Sequence, residues 1–89
     1  MMEKSERVAE IRRRLQLALL PLQLEVIDES HLHAGHAGAL TGKGHFAVQI
    51  VSPQFAGKTP LARHRMVYAA LGEMMDEDIH ALSISANTP

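Results

Sequence analysis

The sequence predicts a single α+β domain in which a helix, two strands, a second helix and a third strand follow one another. A chain of 89 residues has room for only one hydrophobic core. Two segments repeat apolar residues at spacings of three and four, which is typical of amphipathic helices, and three segments favour half-buried strands by alternating apolar with polar residues. These elements predict a three-stranded mixed sheet with the helices packed on one face.

The first helix is predicted over Ser5 to Leu20. Ser5 is a suitable N-cap, and Pro21 ends the helix because proline cannot continue the hydrogen-bond ladder. Arg12, Arg13 and Arg14 lie mostly outside the apolar stripe, so we expect a solvated helix face there. The stripe consists of Val8, Ile11, Leu15, Ala18 and Leu19.

Strands are predicted over residues 22–29 and 45–52, joined by a loop over 30–43 that is rich in histidine and glycine. The loop is much longer than most hairpin loops, and loops of that length are usually functional or disordered. Ile27 is the apolar exception on the polar side of the first strand. The residues predicted to face the core are Leu22, Leu24 and Val26 in the first strand and Phe46, Val48 and Ile50 in the second.

A second helix is predicted over residues 60–75, with Thr59 as its N-cap and Pro60 as its first residue. A third strand is predicted over residues 79–86. The core-facing residues predicted in these two elements are Leu61, Val67, Tyr68, Leu71, Met74, Met75, Leu82 and Ile84.

Composition excludes several classes of protein. Nine Lys and Arg against ten Asp and Glu give a net charge of −1, which argues against non-specific clamping of nucleic acid or of an anionic membrane. The absence of cysteine excludes a thiolate nucleophile and a cysteine-based metal cage from this chain alone. No apolar run has the length of a signal peptide or a membrane span, so we expect a cytoplasmic protein that does not bind membranes. No paired-carboxylate cleft, activated nucleophile or phosphate loop favours an enzyme with a small-molecule substrate.

Five of the six histidines are predicted to gather at one end of the sheet. A right-handed crossover places the third strand parallel to the second and antiparallel to the first. The end of the first strand, the long loop and the starts of the other two strands then share one end. The histidines predicted there are His31, His33, His36, His45 and His80, whereas His64 lies at the opposite end.

Imidazole is a common ligand for transition metals, but two histidines without cysteine do not close a metal site. A metal held at this end would therefore need ligands from a partner or a small molecule. One alternative is that the histidines simply lie in a polar loop and bind no metal. For His80 another alternative is a buried structural role, because the alternation of the third strand predicts that its side chain faces the core. His64 is in turn predicted to be a packed core histidine.

A second pattern concerns charge. No acidic residue occurs from Ser30 through Gly72, whereas Lys43, Lys58, Arg63 and Arg65 all lie in that segment. This local excess of positive charge is what an anionic partner requires. Without aromatic residues among the basic ones, it is a weak indication of nucleic-acid binding.

Several segments, in order and at consistent spacing, resemble the BolA family. The matching segments are Leu24-Glu-Val-Ile-Asp-Glu-Ser30, His45-Phe-Ala-Val-Gln-Ile-Val-Ser52, Phe55-Ala-Gly-Lys58, Arg63-His-Arg-Met-Val-Tyr68, Ile79-His-Ala-Leu-Ser-Ile84 and Thr88-Pro89. The resemblance implies a fold similar to a class II KH domain, and it implies no enzymatic activity.

The resemblance also implies a partner and a cofactor. BolA-like proteins associate with monothiol glutaredoxins that carry a Cys-Gly-Phe-Ser active site, and the pair can share a [2Fe-2S] cluster. Glutaredoxin and glutathione supply thiolates, and the BolA-like protein supplies histidines. The matching ligands are His80 and His33, with His31 or His36 as alternatives to His33 because the loop holds several histidines.

A second implication of the resemblance is DNA binding and transcriptional control of stress responses and morphology. The matching residues are Lys58, Arg63 and Arg65, on a surface that begins at Phe55-Ala-Gly-Lys58. That tetrapeptide departs from the Gly-x-x-Gly clamp of nucleic-acid-binding KH domains. The two implied functions are compatible because their residues are predicted at opposite ends of the sheet.

Overall fold

The computed structural model describes residues 2–33 and 42–89. Short 3₁₀ turns occur at Lys4–Glu6, Ser30–His33 and Pro53–Phe55. Within the described residues, no helix is both long and apolar enough to cross a lipid bilayer. The main elements are α1 (Arg7–Leu19), β1 (Gln23–Asp28), β2 (Gly44–Val51), α2 (Pro60–Leu71), α3 (Met74–Glu77) and β3 (Ile79–Asn87).

The sheet has the predicted topology. Its strand order is β1-β2-β3, with β1 antiparallel and β3 parallel to β2. Asp28 pairs with Phe46, and Phe46 pairs with Leu82. The end of β1 therefore meets the starts of β2 and β3 at one end of the sheet, as the right-handed crossover requires.

The hydrophobic core lies between the sheet and the helices. The predicted core residues of β2 are all buried, and Leu24 and Val26 of β1 pack against them. Ile27 is exposed on the other side of the sheet, as predicted. The buried core residues are Ile11, Leu15, Leu19, Phe46, Val48, Ile50, Phe55, Val67, Leu71, Met74 and Ile79, with Leu82 and Ile84 half-buried beside them.

Four predicted core residues are instead exposed: Ala18, Leu22, Leu61 and Tyr68. Leu22 precedes the first residue of β1, so the alternation of the strand does not extend to it. Leu61 lies in the first turn of α2, and Tyr68 is rotated by about 100° from the buried Val67. The stripe that α2 presents to the core is therefore narrower than the sequence pattern predicts.

The N-terminus of α1 differs from the prediction. Ser5 lies inside the 3₁₀ turn, α1 begins at Arg7, and the N-cap position is Glu6, without a side-chain capping hydrogen bond. Ser5 is therefore not the N-cap. The helix ends at Leu19, because Leu20 adopts a left-handed conformation with φ of 47° and Pro21 follows.

The second predicted helix is two helices. Thr59 caps α2 as predicted, since its Oγ1 accepts a hydrogen bond of 3.1 Å from the amide of Ala62. The helix ends at Leu71 because Gly72 takes φ of 57° and ψ of −131°, a conformation that favours glycine. The separate helix α3 then leads into β3.

Two of the three consecutive arginines of α1 hold the domain together rather than forming a solvated face. Arg14 Nη1 donates to the carbonyl of Leu71 at 2.7 Å, and Arg12 Nη1 donates to the carbonyl of Leu24 at 3.2 Å. Only Arg13 is exposed. Its hydrogen bonds, together with that of Arg14, lower the pKa of Glu10 from 4.5 to about 2.

Candidate functional site

A β-bulge at the start of β3 determines where His80 points. Gly44 pairs with Ile79, but the next residue of β2, His45, pairs with Ala81, so His80 is an extra residue in the ladder. Bulges of this kind re-aim side chains. Ile79 is buried and His80 is exposed. The prediction that His80 faces the core is therefore wrong.

The reason lies in the spacing of the core residues. Ile79 and Leu82 both pack in the core although they are three positions apart, which a regular strand of period two does not allow. The bulge accommodates His80 as the extra residue between the two core positions. It leaves the imidazole of His80 accessible from outside the domain.

His80 lies against a second histidine. The ring centroids of His45 and His80 are 5.1 Å apart, and the ring planes are inclined by 55°. His45 is buried, with 6% of its surface exposed, whereas His80 is exposed. The two rings therefore form a histidine pair with one inner and one outer imidazole.

The backbone around His45 is held by the 3₁₀ turn that opens the long loop. The His45 amide donates to Ser30 Oγ at 3.1 Å, and its carbonyl accepts from the amide of Glu29 at 2.8 Å. The Ser30 amide in turn donates to Asp28 Oδ1 at 2.9 Å. This network places the turn Ser30–His33 beside the start of β2.

A buried ion pair holds the start of β3 at the same end. Arg7 Nε lies 3.4 Å from Asp78 Oδ1, and both side chains are 3% exposed. The Asp78 carboxylate also accepts from the amide of Met2 at 3.2 Å, while its carbonyl accepts from the amide of Gly44 at 2.8 Å. The N-terminal segment, β2 and β3 are thus joined two residues before His80.

Some of the predicted metal ligands lie among the described residues. His80 lies at the predicted end of the sheet, and the turn Ser30–His33 brings exposed His31 and the backbone of His33 to the same end. The side chain of His33 and all of His36 lie outside the described residues. His64 lies in α2, where it is half-buried rather than packed in the core.

Sequence reasoning did not single out His45 as part of the site. The alternation of β2 directs the side chain of His45 to the face of the sheet away from Phe46, and residues on that face are usually solvated. The burial of His45 depends instead on neighbours that are distant in the sequence. Its place opposite the start of β3 was the available signal. Among the described residues, no group of three or more His, Cys, Asp or Glu side chains is arranged to hold a metal ion.

The residues predicted to contact nucleic acid lie at the other end of the sheet. Lys58 and Arg65 are exposed. Arg63 Nε donates to the carbonyl of Lys58 at 3.0 Å, and its Nη1 donates to the carbonyl of Ala86 at 3.2 Å. Arg63 therefore ties the start of α2 to the end of β3, and two of its donors are already used.

The fold and the site define a small α+β domain in which one end of the sheet carries the exposed imidazole of His80 and the buried imidazole of His45. The family model described as "BolA-like protein" matches residues 15–89. The chain belongs to the BolA family.

Individual relatives agree with this assignment. The chain is 44% identical over 86 residues to "Protein BOLA1, chloroplastic" of Arabidopsis thaliana, a match that covers 93% of this chain and 54% of that protein. It is 41% identical over 78 residues to the "DNA-binding transcriptional regulator BolA" of Escherichia coli, covering 88% of this chain and 71% of the other. The solved BolA domain of SufE1 from Arabidopsis thaliana matches with a TM-score of 0.83 and 41% identity, over 100% of this chain and 96% of that one.

The chain spans about half the length of the Arabidopsis relative. That relative is named as chloroplastic, and another, "SufE-like protein 1" of the same plant, is named as chloroplastic and mitochondrial. Members of the family thus occur in several compartments, and the cytoplasmic location of this chain stays a prediction.

Proposed function

We propose that this protein is a non-enzymatic adaptor that binds a monothiol glutaredoxin and contributes histidine ligands to a shared [2Fe-2S] cluster. The observation that carries the proposal is the histidine pair, in which an exposed His80 stands against a buried His45. The bulge turns His80 outward, where a partner protein can reach it. Family membership supports the same assignment.

The donor set fits this cofactor. Histidine replaces cysteine on one iron in some [2Fe-2S] centres, so imidazoles from this chain and thiolates from elsewhere make a chemically reasonable set. Since this sequence has no cysteine, the partner and glutathione supply every thiolate. The cluster would supply redox-active iron and could itself be the cargo that is transferred.

In this arrangement the residues of the chain have different tasks. His80 is the first ligand, and a histidine of the loop is the second, with His33 preferred and His31 or His36 as alternatives. His45 limits the positions open to the His80 ring by packing against it. The ion pair of Arg7 and Asp78 fixes the backbone from which His80 projects.

The experiment is reconstitution of the protein with a monothiol glutaredoxin, iron, sulfide and glutathione, followed by visible absorption and circular dichroism. The proposal predicts a stable hetero-complex whose spectrum differs from that of the glutaredoxin homodimer. His80→Ala should lose that difference, whereas the control His64→Ala, at the opposite end of the domain, should retain it. A spectrum identical to that of glutaredoxin alone would contradict the proposal.

The loop ligand is assigned by the same measurement. His31→Ala, His33→Ala and His36→Ala are compared in otherwise identical complexes. We expect His33→Ala to alter the cluster spectrum most. A larger effect of either neighbour would transfer the role to that residue.

DNA binding is the second candidate function, favoured by the name of the Escherichia coli relative and by the exposed cations Lys58 and Arg65. Such binding would weaken as salt increases, because phosphate contacts release counterions. We expect Lys58→Ala and Arg65→Ala to weaken it and to reduce the salt dependence. Affinity that is insensitive to salt and to both substitutions would exclude this surface.

A further inference from the structure

A cleft lies at the histidine end of the sheet, beside the 3₁₀ turn Lys4–Glu6. It has a volume of about 180 Å³, and His45 is one of its lining residues. Its charged lining residues are Lys4, Arg7, Lys43 and Asp28, and Ser30 also lines it. Three of the four charged residues are cations, although the whole chain has a net charge of −1.

Arg7 is the unusual member of this lining. Its side chain is 3% exposed, and its Nε is directed to Asp78. Nη2 of the same guanidinium is also buried, and it has no hydrogen-bond partner among the residues that the structure describes. Buried N–H groups in native proteins almost always have an acceptor, so a buried charged donor without one indicates a missing acceptor.

The charges of the cleft select the kind of acceptor. Asp78, which lies outside the lining, is the counter-charge of Arg7, and Asp28 is the carboxylate among the lining residues. The lining itself therefore carries more positive than negative charge, which favours an anionic ligand. A planar carboxylate also suits the edge of a guanidinium.

Ser30 can add a further donor. Its Oγ accepts a hydrogen bond from the amide of His45, which leaves the hydroxyl proton available to a ligand oxygen.

We propose that this cleft binds a carboxylate group, with Arg7, Lys4 and Ser30 as its donors. The carboxylate can come from a small molecule such as glutathione or from an acidic side chain of a partner protein. The assignment rests on the cleft alone, so it can hold or fail independently of the shared cluster.

The test uses the free protein, without iron or glutaredoxin, and follows amide resonances by NMR during titration. The probes are acetate, inorganic phosphate, glutathione, glutathione with both carboxylates esterified, and a blocked peptide with a single glutamate. A single carboxylate on such a site is expected to bind with a Kd on the order of millimolar. We expect shifts at Lys4, Ser30 and Gly44 with the free carboxylates and none with the diester.

Variants locate the binding. Lys4→Gln should raise the Kd several-fold, whereas the matched control Lys58→Gln, at the other end of the sheet, should leave it unchanged. Arg7→Lys keeps a cation for Asp78 and removes Nη2, so it should weaken binding further. Where Arg7→Lys fails to fold, the comparison of Lys4→Gln with Lys58→Gln decides.

The titrations with different probes distinguish the possible ligands of the cleft. Binding of glutathione but not of the peptide assigns a small-molecule ligand, and binding of the peptide alone assigns a partner side chain; either supports the proposal. Equal binding of the diester, tighter binding of phosphate than of the carboxylates, or no effect of Lys4→Gln would overturn it.

Discussion

The imidazole of His80 stands with its centroid 5.1 Å from that of His45, and the two rings differ sharply in exposure. The contact exists because a bulge removes His80 from the regular ladder of β3. Without the bulge, the alternation of the strand would place His80 on the core face. The local irregularity thus converts a residue that would be buried into one that a partner can reach.

His45→Ala should alter the proposed cluster without abolishing the fold. The substitution removes the ring that packs against His80, and so allows the His80 side chain more freedom. We expect the hetero-complex to form with a changed visible circular dichroism spectrum and faster loss of the cluster. His45→Phe, which restores an aromatic ring of similar shape but no ligand nitrogen, should recover most of the wild-type behaviour. Failure of the phenylalanine variant to do so would indicate that the His45 nitrogens are needed.

Asp78→Asn should destabilise the domain by about 3 kcal/mol, because it leaves the buried Arg7 guanidinium without its counter-charge. Urea unfolding monitored by circular dichroism measures the change. Asp76→Asn is the matched control, since Asp76 is exposed and an exposed substitution is expected to change stability by less than about 0.5 kcal/mol. Equal stability of the two variants would show that the ion pair does not hold the start of β3.

Gly44→Ala should destabilise the domain by about 1–3 kcal/mol through overpacking. A Cβ at this position would lie 2.5 Å from the ring of Phe46, which is buried and cannot move aside freely. It would also approach Ser30 Oγ at 3.1 Å and so disturb the turn beside His45. Unfolding free energies measured in urea give the cost. A wild-type value would mean that the Phe46 ring moves aside easily.

The stability of the domain should fall in acid partly through Glu10. Its pKa is lowered from 4.5 to about 2 by hydrogen bonds from Arg13 and Arg14, so the stabilisation is complete above about pH 4.5 and is lost as pH falls towards about 2. Glu10→Gln should therefore flatten this part of the profile of unfolding free energy against pH. Glu25→Gln on the exposed face of β1 is the control. An unchanged acid slope in Glu10→Gln would contradict the assignment.

The parts of the fold that depend on local pattern could be predicted from the sequence. Alternation alone identified Phe46, Val48 and Ile50 as core residues. The capping role of Thr59 could be predicted because it depends on a hydrogen bond to a residue only three positions further along the chain. The crossover rule placed the histidine end of the sheet correctly, because a strand that follows such a crossover runs parallel to the one before it whatever its side chains.

The remaining features depend on contacts between distant segments. The bulge at His80 reflects the register of β3 against β2, although the spacing of three between Ile79 and Leu82 was a signal for it in the sequence. The role of Arg14 depends on a carbonyl 57 residues away, at Leu71. Gly72 could have signalled a helix end, but the apolar residues Met74 and Met75 continued the helical pattern past it. The burial of His45 is likewise a tertiary effect.

The most direct test of the central claim is pulsed electron paramagnetic resonance of the reduced complex with glutaredoxin. In this experiment only the present protein carries histidine labelled with the heavy nitrogen isotope. We expect coupling of the labelled nitrogen to the cluster spin, with the contribution of one ligand lost in His80→Ala and none lost in His64→Ala. A reduced cluster in the hetero-complex with no coupling to labelled histidine would contradict it.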